Sequence, residues 1–106
     1  LQPKQLQIEL ERMLRITTHT EVGLIRFILE GRLIGEWVHE LERCWQAMTA
    51  TQPASSIQIE LKDVGFIDEH GQALLARMAA AGAALIAADV QMKAIVEEIL
   101  ATLLPE

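Results

Sequence analysis

The chain has 106 residues, of which 51% are hydrophobic, and a formal net charge of −6; that length holds one core and leaves no room for a second independent domain. Its apolar residues are spread through periodic segments, which excludes a disordered chain, and the longest apolar run, 79–88, is mostly Ala and is broken by Gly82, too short to span a bilayer. Nine scattered Lys and Arg against fifteen Asp and Glu, with two Trp, two Phe and no Tyr, argue against phosphate neutralisation and base stacking, so no nucleic acid is expected as a partner.

Residues 1–12 admit several readings. Leu6, Ile8 and Leu10 alternate as in a strand, while Leu6, Leu10 and Met13 share a helical stripe. In either form the segment covers an open sheet face or exchanges between two copies, and otherwise it is a disordered extension. From there the pattern sharpens. Leu14, Ile16 and Thr18 alternate with Arg15, Thr17 and His19, predicting a strand with one buried face. Glu21, Val22 and Gly23 make a turn, and 24–32 alternates Ile25, Phe27 and Leu29 with Arg26 and Glu30, completing a hairpin.

At Glu36 the period changes to that of a helix, with Trp37, Val38, Leu41, Cys44, Trp45 and Met48 on one face. A lone cysteine on that face cannot form an internal disulfide and reads as core. After a loop over 51–56 containing Pro53, a strand over 56–64 turns Ile57, Ile59 and Leu61 one way and Gln58, Glu60 and Lys62 the other. A solvated face on that strand means that helices cover only one side of the sheet. A second helix starts near Asp68 and carries Leu74, Leu75 and Met78 over 72–81. The apolar segment 83–88 predicts a central strand, with Gly82 as the break from the Ala-rich helix before it. Asp89 caps a last helix striped by Met92, Ile95, Val96, Ile99, Leu100 and Leu103, and Pro105 follows its end.

The resulting order, β-β-α-β-α-β-α, predicts a single α/β domain over 13–106, after the extension 1–12. Its mixed sheet has four strands, or five if the extension adds one, with helices mainly on one face. No export signal opens the sequence, so the expected location is the cytoplasm, without membrane insertion.

The segment that stands out reads Asp63-Val64-Gly65-Phe66-Ile67-Asp68-Glu69-His70-Gly71 and lies between a strand and a helix. It resembles the STAS domain signature of bacterial anti-sigma factor antagonists, in which a strand, a short apolar step and an Asp-Ser-Ser-Gly tetrapeptide lead into the second helix. Asp68 and Gly71 match. Leu29-Glu30-Gly31-Arg32-Leu33 is similar to that family's Leu-x-Gly-x-Leu, and the element order agrees from residue 13 to 104. The resemblance implies a non-catalytic module for signalling and transcription regulation. Its implied partner is an ATPase-type anti-sigma factor that is also a kinase, or a related regulatory protein.

In that family the first serine of the tetrapeptide is phosphorylated by the partner, which switches binding off. Glu69 and His70 stand at the two serine positions here, so serine phosphorylation is not expected. Glu69 resembles phosphoserine in sign, with one charge where phosphate carries about 1.5 to 2; equally, it complements the dipole of a helix start. Asp68 reads first as an N-cap, which also shapes the loop that a partner meets. Gly71 permits close approach either of a partner or of the helix to its neighbours. The family's first loop often carries an Asp where this chain has Ile34, so contacts there would be more apolar, with Trp37 either an anchor for a partner or a core residue. The expected partner surface is Ile34, Trp37, Asp68, Glu69, His70 and Gly71.

Catalysis has no visible machinery. There is no Walker loop, dinucleotide fingerprint or serine nucleophile elbow, and Asp68, Glu69 and His70 are adjacent, so they point in different directions at a helix start. His19, His39 and His70 lack ligand spacing, so no metal and no cofactor are expected. Two alternatives to the leading reading remain: a STAS docking subunit of a transport or stress-signalling complex, and a small-ligand sensor using His70 with a pocket beside the second helix. A homodimer is left open.

Overall fold

The alternating segments form strands, and the segments of helical period form helices. In the computed structural model, which describes residues 13–103, the order is β1 (Leu14–Glu21), β2 (Leu24–Leu33), α1 (Glu36–Thr49), β3 (Ile57–Ile67), α2 (Glu69–Ala81), β4 (Ala84–Ala87) and α3 (Val90–Ala101). This is the α/β order expected. The readings of 1–12 and of Pro105 lie outside the described residues. The four strands form one sheet in the order β1-β2-β3-β4; β1 and β2 pair antiparallel, and the other two pairs are parallel.

One face of the sheet carries the core. Ile25, Phe27, Leu29 and Leu33 of β2 and Ile57, Ile59, Leu61, Val64 and Ile67 of β3 meet Val38 and Leu41 of α1, Leu74, Leu75 and Met78 of α2, and Met92, Val96 and Ile99 of α3. Each such apolar side chain contributes about 1.5–3 kcal/mol on burial. The alternate residues of β2 and β3 face the other way, where the Arg26 guanidinium holds the Glu60 carboxylate with both groups partly exposed. Among the described residues no helix is long and apolar enough to cross a membrane.

Three expectations need correction. The third strand runs past residue 64 to Ile67, because the pairing of β2 with β3 shifts register between Ile28 and Glu30 and again between Gly31 and Arg32. At each shift β3 carries one more residue than β2, so its buried positions step 57, 59, 61, 64, 67 and lose the period-2 signal. Next, β4 is an edge strand among the described residues, not a central one. It pairs only with β3, and Ala84 and Ile86 are exposed; a short apolar run does not by itself distinguish the two positions. Finally, Leu100 and Leu103 are 41% and 39% exposed. Leu100 sits about 100° round the helix from Ile99, and Leu103 lies beyond the last turn of α3.

Candidate functional site

Because β2 and β3 are parallel, they end side by side, with Leu33 beside Ile67. The backbone N–H of Asp68 donates to the Leu33 carbonyl at 3.2 Å, a last rung that joins the two chain exits. The Asp68 side chain then uses both of its oxygens. Oδ1 accepts from the Gly71 N–H at 2.8 Å, capping α2, and Oδ2 accepts from the Gly35 N–H at 2.9 Å, in the loop that enters α1. The N-cap of α1 is Gly35 itself, at φ 54, where no side chain caps the helix. One carboxylate therefore holds two helix entrances that are 33 residues apart in sequence.

That geometry holds the Asp68 carboxyl below its ordinary value. The hydrogen bond from Gly35 is the largest cause and that from Gly71 a further one, both favouring the charged form over the opposing cost of desolvation. With both oxygens occupied by amides, Asp68 is a positioning group and not a free general base. Sequence reasoning found the cap but missed the bond to Gly35, for which no local signal exists.

The other expected site residues divide. Gly71 is buried, and a Cβ there would lie 2.8 Å from both the Leu33 carbonyl oxygen and Ile67 Cγ2, so close packing of α2 on the strand ends accounts for this glycine. Trp37 and Ile34 are half-buried, and Trp37 packs against the core. Glu69 and His70 are exposed in the first turn of α2. Of the six, only these two are exposed.

His70 also lines an open groove of about 490 Å³ between α1 and α2, with Gly35, Glu36, His39 and Glu42 on one side and Arg77 on the other. An ion pair from Arg77 Nη1 to Glu42 Oε2 at 2.9 Å ties the two helices together along it. That His39 and His70 line one groove was not visible in the sequence, since it depends on how α1 and α2 lie over adjacent parallel strands. His19 is elsewhere, on β1 opposite Arg26. Among the described residues no group of three or more His, Cys, Asp or Glu is placed to hold a metal ion. Comparison of the chain with protein-family models finds no match, and comparison with curated proteins finds none.

Proposed function

We propose that the chain is a non-catalytic, cytoplasmic protein-binding module of the STAS type, resembling bacterial anti-sigma factor antagonists. Its partner is an ATPase-type anti-sigma factor or a related regulatory protein, and serine phosphorylation does not switch it. The observation that carries this reading is the double use of Asp68. By tying the loop after β2 to the start of α2, it gives a rigid surface on which Glu69 and His70 stand exposed, at the position where the resemblance puts the partner contact.

The order of elements adds support of a weaker kind, since one fold hosts many functions. A small-ligand sensor is the second reading, favoured by the groove beside α2 that His70 lines. A docking subunit draws on an exposed apolar surface at Trp37, and that ring packs against the core, so this alternative has less to stand on.

The test uses substitutions that spare the buried groups. The purified chain is immobilised, host lysate is passed over it, and what wild type retains is compared with what the double variant Glu69→Arg, His70→Glu retains, with each retained kinase then titrated directly. The reading expects an ATPase-type kinase bound by wild type and weakened about tenfold or more in the variant. Equal binding by both forms, or no such kinase, contradicts it. Stabilisation by a metabolite in a thermal-shift screen, lost in His70→Ala, would favour the sensor instead.

A further inference from the structure

The two edges of the sheet are unlike. β1 carries Arg15, His19 and Glu21 along its length, the kind of charged decoration that discourages pairing with another strand. β4 reads Ala-Leu-Ile-Ala, with no charge and no proline, and it pairs with β3 in unbroken register. Its outward backbone N–H and C=O groups have no strand beside them among the described residues. The exposed apolar side chains gather on the same part of the chain. Of the seven large hydrophobic side chains that are exposed among the described residues, four belong to β4, α3 and the residues just after it: Ile86, Val90, Leu100 and Leu103.

We infer that β4 pairs antiparallel with β4 of a second copy, forming a two-fold dimer with a continuous sheet. An open edge asks for a strand, because only a strand satisfies a row of alternating donors and acceptors. A peptide strand alone would cover four residues of edge, far short of the roughly 1,200–2,000 Å² that a stable interface buries, and would bring nothing for the exposed Val90 and Leu100 of α3. A second copy brings both a strand and an apolar helix beside it. Pairing centred on Ile86 sets that residue against its own counterpart on the open face, a favourable β-branched pair. It sets Leu85 against Ala87 on the helix-bearing face, and Asp89 against the uncharged Ala83. No like charges oppose each other along the strand, and such a contact is self-complementary.

Sedimentation velocity on the full chain over roughly a hundredfold range of concentration tests the dimer, with mass action shifting the equilibrium. Wild type and Val22→Lys, altered at the exposed hairpin tip, should both approach twice the mass of the chain. Ile86→Lys and Leu100→Lys should each raise the dissociation constant about tenfold or more, with circular dichroism confirming the fold. Should Ile86→Lys fail to fold, the Leu100→Lys variant on the helix surface decides. A monomer at every concentration, or a dimer that persists unweakened in either folded variant, overturns the inference. Glu69→Arg should leave the dimer intact, which separates this surface from the partner surface.

Discussion

Asp68 and Asp89 open two helices in the same way, and their positions in the molecule make them unequal. Each follows a strand, takes extended backbone and accepts from the N–H three residues on, at 2.8 Å from Gly71 and 2.7 Å from Met92. At the second junction that third residue is Met92, whose side chain fills the core. At the first it is Gly71, where α2 approaches the strand ends so closely that a methyl group has no space. Asp68 also reaches the loop after β2 through Gly35. One local signal thus serves two purposes: at α3 it ends a strand and starts a helix, and at α2 it also fixes a neighbouring loop.

The sharpest test of this contrast is at the third residue. Gly71→Ala should lose about 3 kcal/mol in equilibrium denaturation, the upper end for overpacking, since a backbone carbonyl and branched carbons stand in the way. Next comes Asp68→Ala, expected to cost about 2 kcal/mol through the lost cap and the lost loop bond together. Asp89→Ala should cost about 1 kcal/mol, the value of a cap alone; equal losses at the two aspartates would break the comparison. Smallest should be His70→Ala, within about 0.5 kcal/mol for an exposed position, even though it alters the proposed partner surface.

Acid sharpens the same contrast. The folded-state value of Asp68 is depressed, so the unfolded chain binds the proton more readily, and stability falls as pH drops. The contribution is full above the ordinary aspartate value and is lost as pH falls through the depressed one. Glu60 acts in the same direction, held down mainly by its hydrogen bond from Arg26. In Asp68→Asn the acid loss of stability should be shallower over that window, measured by denaturant titration at stepped pH.

Much of the fold was legible because its signals are local. The alternation of Ile25, Phe27 and Leu29 and the stripe of Met92, Val96 and Ile99 each report one buried face. What escaped depends on partners distant in sequence. The end of β3 was hidden by two extra residues that only its pairing with β2 reveals, and the edge position of β4 follows from strand order and not from Ala-Leu-Ile-Ala itself. At the site, the cap made by Asp68 is local and was readable. Its bond to Gly35, the inward-facing Gly71 and the groove shared by His39 and His70 all arise from packing one parallel unit against the next.

The claim at the centre of this account is that one carboxylate holds both helix entrances, and the amide protons of Gly35 and Gly71 report on it directly. Their chemical shifts, followed by nuclear magnetic resonance through an acid titration of the folded chain, should move together with a single midpoint below the ordinary aspartate value, and neither should titrate in this way in Asp68→Asn. A Gly35 amide that does not titrate, or one whose midpoint differs from that of Gly71, would show that Asp68 only caps its own helix, leaving the loop after β2 without the anchor on which the proposed partner surface depends.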